Sequence, residues 1–271
     1  MKVAVTGHVE WVEFARVDHV PAPGEIVQVE ETWEEPAGGG AVAAVQLARL
    51  AGACTFYTVL GDDELGRRSK EQLTELGVTV RAQTTRRPTR RAFVYVDAVG
   101  ERTITVIGEK LRPSRVRPED FLHHDAVLFI SGEADALLAA RRARVLVAVA
   151  RELPTLRQGA VELDALVGSG EDEGERYHPG DLDPSPKLVV TTSGSLGGWT
   201  QPGGPYRAAA LPGPVSDAYG CGDSFTAALT FALARGDDAA DAVALAARCG
   251  AAVMTGIGPY ARQLTAEEVG S

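Results

Sequence analysis

The sequence predicts an α/β protein: a doubly wound, mostly parallel central sheet flanked by helices, with a second, small β-sheet beside it. Three observations carry this reading. Short apolar runs of strand length alternate with stretches of helical periodicity, the pattern of a parallel sheet whose crossovers are helices. Glycine-rich turns stand directly before two of the helical stretches, at Gly38-Gly39-Gly40 and at Gly220-Cys221-Gly222. Two early hairpin-like pieces have no helix between their strands, so they fall outside the parallel sheet. A chain of 271 residues, 45% hydrophobic and 24% charged, can bury one large domain with a small appendage.

In order, residues 2–6 are an apolar run that stops at Gly7, a buried strand. Residues 9–17 and 26–33 alternate in part and flank Pro21-Ala22-Pro23-Gly24, a strand–turn–strand. Residues 41–51 have helical periodicity. Residues 55–60 are strand-like, and 65–76 are helical with Gly77 past the end as a cap. Residues 93–97 and 102–107 form a hairpin around Val99-Gly100. Residues 126–130 are a strand, 134–144 a helix and 145–149 a further short strand. Residues 168–186, rich in Gly, Pro and acids, are loop. A buried strand enters Thr192, and 225–234 are an apolar helix.

Residues 217–225, Asp-Ala-Tyr-Gly-Cys-Gly-Asp-Ser-Phe, carry the most chemistry. Gly220 and Gly222 allow a tight turn of unusual φ. The turn opens a helix whose first N–H groups lack intrahelical acceptors. With the positive end of the helix dipole they form a site for an anion such as phosphate. Asp223 follows at once. A carboxylate beside a phosphate pocket is placed to take a proton from a hydroxyl attacking that phosphate. The plainer reading is a glycine turn with a capping Asp. Gly38, Gly39 and Gly40 similarly let backbone approach a substrate, or serve close helix–strand packing.

Other features bound the class. The net charge of -10 argues against a nucleic-acid surface, and the basic run 86–91 reads as the solvated approach to a hairpin. Cys54, Cys221 and Cys249 have no metal-like spacing and suit a reducing compartment; Cys221 in the turn fills space. No apolar run reaches the roughly 20 residues that span a membrane, and residues 1–6 run straight into a strand without a secretory segment. A soluble, cytoplasmic protein without membrane or nucleic-acid partners is expected. Residues 61–68 have P-loop glycine spacing but no Lys-Ser/Thr and carry three acids; Gly168-Ser169-Gly170 is followed by Glu171, Asp172 and Glu173. Both are rejected as phosphate loops. His123 and His124 precede a strand and read as loop or cap. The chain contains no asparagine, and four of its 27 basic residues are lysines.

The nonapeptide resembles the C-terminal signature of the ribokinase-like (PfkB-type) sugar and nucleoside kinases. Residues 21–25, Ala37-Gly38-Gly39-Gly40 with 44–51, residues 61–66, Gly77-Val78, Gly100-Glu101-Arg102-Thr103 and residues 189–197 resemble further landmarks of that family, in the family's order. The resemblance identifies the small sheet as a lid over the substrate, residues 9–35 and 89–107, on a large domain of residues 1–8, 36–88 and 108–271. It implies ATP-dependent transfer of the γ-phosphate to a primary alcohol of a small sugar or sugar-like molecule. A nucleoside kinase of the same fold is the alternative, and a catalytically weak sugar- or nucleotide-binding sensor the alternative of another class. Asp223 is the implied base, and the Gly220, Cys221 and Gly222 N–H groups the implied oxyanion donors. Gly38, Gly39 and Gly40 are implied at the substrate, with Val42 where the family carries an Asn. Val12 stands where a lid Asp is usual, and Glu10, on the same strand face, is the expected substitute. Phe93 and Tyr95 on a lid strand leave room for a base. Thr192, Gly194, Gly197 and Asp217 are implied at the nucleotide, and Asp172, in place of a metal-linked motif, at a water on Mg²⁺. The implied cofactors are ATP and Mg²⁺, with a monovalent cation as a further candidate; a homodimer through the lid is also implied. The stretch 132–187 is short for the family, as if one α/β unit were trimmed.

Overall fold

Val3 and Val5 point to one face of a sheet and Ala4 to the other, and all three are buried. A strand apolar on both faces belongs inside a sheet covered on both sides. The computed structural model, which describes residues 1–270, puts that strand, β1 (Val3–Thr6), in the interior of a nine-stranded sheet. The chain continues through β2 (Glu10–Arg16), β3 (Glu31–Ala37), α1 (Gly39–Ala51), β4 (Cys54–Gly61), α2 (Glu64–Glu75) and β5 (Val78–Thr85). Next come β6 (Arg91–Val96), β7 (Arg102–Ile107), β8 (Ala126–Phe129), α3 (Ala134–Ala140), β9 (Val145–Val149), α4 (Leu153–Gly159) and β10 (Ala165–Ser169). It ends with β11 (Val189–Thr192), β12 (Gly198–Gln201), β13 (Gly204–Tyr206), α5 (Cys221–Arg235), α6 (Ala239–Val253) and α7 (Ala266–Val269).

The large sheet has the order β13-β12-β11-β10-β9-β8-β1-β4-β5. It is parallel from β11 to β5, and β12 and β13 are an antiparallel appendage. Val3, Val5, Leu128 and Val147 share one core with residues of α1, α5 and α6. Ala4, Val127, Phe129 and Leu146 share the other with α3 and α4. From β1 the chain winds outward through β4 and β5, then returns to add β8 on β1's other side. The strand order reverses at the β1–β8 boundary. No α-helix lies between β10 and β11; a loop with one short 3₁₀ turn makes that crossover. Among the described residues, no helix is long and apolar enough to cross a membrane.

The second sheet has the order β3-β2-β6-β7. Four connections join it to the large sheet, at residues 7–9, at Gly38, at 86–90 and at 108–110 and beyond. The second lid strand runs from Glu31 to Ala37, not over 26–33. β2 ends at Arg16, which pairs with Glu31, so the apolar residues at 26–29 have no strand to join, and Ile26 is 98% exposed. The strand also passes the expected lid boundary at 35 by two residues. The rejected P-loop is a capped helix start: Asp63 accepts from the N–H of Gly66 (2.8 Å) and of Thr89 (2.7 Å), anchoring the third connection.

Helix α1 lies so close to β1 that Gly40 has no room for a side chain. A Cβ there would stand 2.6 Å from His8 O and 2.8 Å from His8 N. Close packing is therefore the role of the third glycine. Gly40→Ala is expected to cost about 1–3 kcal/mol through overpacking, read as a lower urea midpoint at unchanged m-value.

Candidate active site

The site forms where the strand order reverses, at the carboxyl ends of β1 and β8, the usual ligand crevice of an open α/β sheet. The N–H groups of Ile130 and Ser131 donate to Thr6 O (2.8 and 3.2 Å), and His8 Nδ1 lies 3.0 Å from Ser131 Oγ. Two helices begin here. Gly38 (φ +82°) caps α1 and Gly220 (φ +82°) caps α5, and neither helix has a side-chain cap. A Cβ on Gly39 would stand 2.7 Å from Asp223 Oδ1 and 3.1 Å from Ile130 Cγ2. The bare backbone of Gly39 is thus what the Asp223 carboxylate rests on, and the two glycine motifs, some 180 residues apart in sequence, meet there.

The expected unusual φ belongs to Gly220 and not to Gly222. A Cβ on Gly220 would meet Pro259 Cβ at 2.9 Å and Val42 Cγ1 at 3.0 Å. Gly222 lies in the first turn of α5, exposed, and a Cβ on it would meet nothing within 4 Å. Its role is open space in front of the uncapped N–H groups.

Tyr219 joins the two motifs. It is buried, its hydroxyl accepts from Gly38 N–H (3.1 Å), and its ring meets Phe14 of β2 edge-on at 5.1 Å. Asp217, expected at the nucleotide, is fully buried and accepts from the N–H groups of Tyr219 (2.8 Å) and Gly258 (3.0 Å). Its carboxylate shapes the turn from behind. The small sheet touches the same segment twice: Gly100 O, between β6 and β7, accepts from Ala218 N–H (2.9 Å), and Arg16 Nη2 of β2 donates to Ser216 O (3.3 Å).

Burial is the main cause that raises the Asp223 carboxyl to about 7. Glu175 and Glu10 push it further up, while Arg102, from the lid, and Arg151 hold it down. A carboxylate that ionises near neutrality beside two helix N-termini is a competent general base. Asp172 accepts from Gly174 N–H (2.8 Å) and is paired to Arg151, which also binds Glu175 (2.8 Å). Cys221 has its thiol pushed up by burial, in keeping with a space-filling role. Glu10 does reach the cleft: its Cγ lies 3.2 Å from where a Cβ on Gly38 would stand, and its Oε1 is 3.1 Å from Arg90 Nη1. Burial raises its carboxyl. His8, whose Nε2 is 3.8 Å from Glu10, is pushed well down by burial and by Lys110, Arg90, Arg112 and Arg151, so its ring is neutral.

Two expected substrate positions, Val42 and Phe93, stand elsewhere, and so does Val12. Val42 is fully buried under the Gly220 turn, and its carbonyl accepts from Gln263 Nε2 (2.9 Å). Val12 is fully buried in the main core. Phe93 pairs with Glu13, in the alternate register to Val12–Ala92 and Phe14–Val94, so it lies on the lid face turned away from the cleft, edge-on to Tyr95 at 5.0 Å. Thr192, Gly194 and Gly197 lie at the carboxyl end of β11, and Tyr206 of the following hairpin stacks on Phe225 of α5 at 6.3 Å. Sequence reasoning misses His8, Arg90, Arg102, Lys110 and Tyr219 as site residues. Period-two alternation from Glu10 to His8 could have found the first. The basic run 86–91 hides Arg90, which turns inward with its side chain 12% exposed.

The profile of the pfkB family carbohydrate kinases matches residues 1–154 and 156–266. The ribokinase of Staphylococcus aureus (strain COL) is 30% identical over 131 residues, 47% of this chain and 42% of that protein. The aligned part is thus less than half of that relative's length. The aminoimidazole riboside kinase of Salmonella typhimurium is 29% identical over 266 residues, 82% of this chain and 83% of that protein. The ribokinase structure from Thermotoga maritima has a TM-score of 0.79 at 21% identity, over 99% of this chain and 97% of that one, a likeness of fold.

The titration of Asp223 gives a direct check. Its carboxyl carbon, followed by NMR, is expected to titrate with a midpoint near 7. Glu175→Gln removes a like charge and moves the midpoint down; Arg102→Met removes a favourable cation and moves it up. Shifts of the opposite sign would show that these groups do not act on Asp223.

Proposed function

The chain belongs to the pfkB family of carbohydrate kinases, and from that membership we propose that it moves the γ-phosphoryl group of ATP to a primary alcohol of a small sugar or sugar-like molecule. The observation that carries this reading is the Asp223 carboxylate lying on Gly39 at the uncapped start of α5. One group there can take a proton while the adjacent N–H groups hold a phosphoryl oxygen. Asp223 accepts the proton of the acceptor hydroxyl as its oxygen attacks phosphorus. The N–H groups of the Gly220-Cys221-Gly222 turn stabilise the charge on the transferred group. Gly38, Gly39 and Glu10 orient the acceptor, and residues 192–197 face the nucleotide.

Mg²⁺ would supply charge neutralisation on the phosphates. Asp172 and Glu175 fit it as hard oxygen donors, direct or through water, and no group of three or more potential ligands is present among the described residues. That donor set suits an ion carried largely by the nucleotide's own phosphates. Arg151, bound to both carboxylates, offsets part of their charge, while Glu175 still raises the Asp223 carboxyl. A nucleoside is the second reading of the acceptor, and Phe93 and Tyr95, which face away from the cleft, are not what would hold its base. A mere sensor has no use for a carboxyl that titrates near 7 beside an anion turn.

Asp223→Asn keeps shape and removes the base, so kcat for the best acceptor in an ADP-release assay should fall by about 10²–10⁴-fold, with ATP affinity nearly unchanged. More than about a tenth of the activity remaining would remove Asp223 from that role. Gly222→Val is expected to leave Tm unchanged, because its Cβ meets no atom within 4 Å, and to raise the KM for ATP by filling the space before the N–H groups. An unaltered KM and kcat would show that phosphate does not dock there.

A further inference from the structure

Cations gather on the side of the cleft away from α5. Arg90 pairs with Glu10 through Nη1 (3.1 Å), while its Nε is buried without a hydrogen-bond partner. Lys110, with its side chain 25% exposed, has one carboxylate near its ammonium, Glu152 Oε1 at 3.6 Å, beyond hydrogen-bond reach. That carboxylate is already held by Arg112, which also donates to Gly132 O (2.6 Å) and Thr155 Oγ1 (2.7 Å). Glu152 is 3% exposed. Arg90, Lys110 and Arg112 therefore face two buried carboxylates, Glu10 and Glu152; Glu133, the further partner of Arg112, is half exposed and largely screened.

An ammonium taken partly out of water with no acceptor is costly, and so is a buried, unpaired guanidinium N–H. Burial pushes the Lys110 ammonium down, and repulsion from Arg90 and Arg112 adds to this against the pull of Glu152 and Glu10. A neutral polyol could accept hydrogen bonds here but would leave the excess positive charge. An anion would balance the charge on both cations and give the ammonium an acceptor. The site is continuous with the reacting end, since Glu10 lies against Gly38 and Asp223 against Gly39, its neighbour.

We propose that the acceptor carries an anionic group, a carboxylate or a phosphate, at the end remote from the reacting hydroxyl, and that Lys110 and Arg90 bind it. His8 and Ser131, bonded to each other at 3.0 Å, lie beside the intervening hydroxyls. The proposal rests on the kinase reading of the same cleft and narrows its substrate class.

The test pairs acceptors that differ in charge: gluconate against glucose, fructose 1-phosphate and fructose 6-phosphate against fructose, with inosine as a nucleoside. ADP release and thermal shift are measured on the wild type, Lys110→Met and Lys110→Arg. The expected result is a kcat/KM at least about tenfold higher for an anionic acceptor than for its neutral counterpart. Lys110→Met should remove that advantage through KM, with the KM for ATP unchanged, and Lys110→Arg should restore most of it. Preference for gluconate identifies a carboxylate, preference for a fructose phosphate a phosphate. A neutral sugar or inosine turned over best, and equally well by Lys110→Met, overturns the proposal and leaves the kinase reading standing. If an anion raises Tm in a Lys110-dependent way but no acceptor yields ADP, the anion site stands and the kinase reading falls. If no anion shifts Tm or is turned over, the proposal is wrong.

Discussion

The cleft depends on the absence of one side chain. With only hydrogen on the α-carbon of Gly39, the Asp223 carboxylate can lie against the first turn of α1. That lets α1 and α5 start side by side at the strand ends, both with bare N–H groups. Two partial positive charges then face one carboxyl. Burial works in the other direction, and so do Glu175 and Glu10. The result is a group poised between its two protonation states instead of a permanently charged one. Any methyl at position 39 would separate the helices and remove the balance together.

Around this point the protein uses buried polar groups as fixed struts. Asp217 and Tyr219 belong to the signature nonapeptide, yet neither is available to a ligand: one carboxylate receives two backbone N–H groups, and one hydroxyl receives the Gly38 N–H. Burial pushes the pKa of both upward. The two valines where the family shows polar residues fit the same scheme. Val42 supports Gly220 from below, and Val12 fills core, so their loss of polarity is a gain in packing. The polar side chains that remain on that side of the cleft are Glu10, His8 and Arg90.

Much of this is legible in the sequence, because glycine, periodicity and chain order report backbone constraints directly. The two glycine runs, the carboxylate at Asp223 beside them and the hairpin at residues 93–107 follow from local rules, and the structure has them in place. The sequence misleads where a local pattern has two readings. Alternation at 26–33 looks like a strand, but pairing with β2 is set by register, which only the tertiary structure reveals. Phe93 and Val94 are equally good lid residues until the register says which faces the cleft. Both glycines of the turn tolerate positive φ, and only Gly220 adopts it. Arg90 and Lys110 carry no signal at all, since a charged residue in a polar stretch is by default solvated, and their burial arises from packing between segments far apart in sequence.

The four connections between the two sheets have a mechanical meaning. β3 hands over to α1 through Gly38 alone, and the other joints run through residues 7–9, 86–90 and 108–110. His8, Gly38, Arg90 and Lys110 each sit on one of them. The residues proposed to line the acceptor pocket are therefore also the joints between the two sheets. An acceptor bound as proposed would touch all four joints and tie the two sheets to each other, so its grip and the coupling between the sheets would be one and the same quantity.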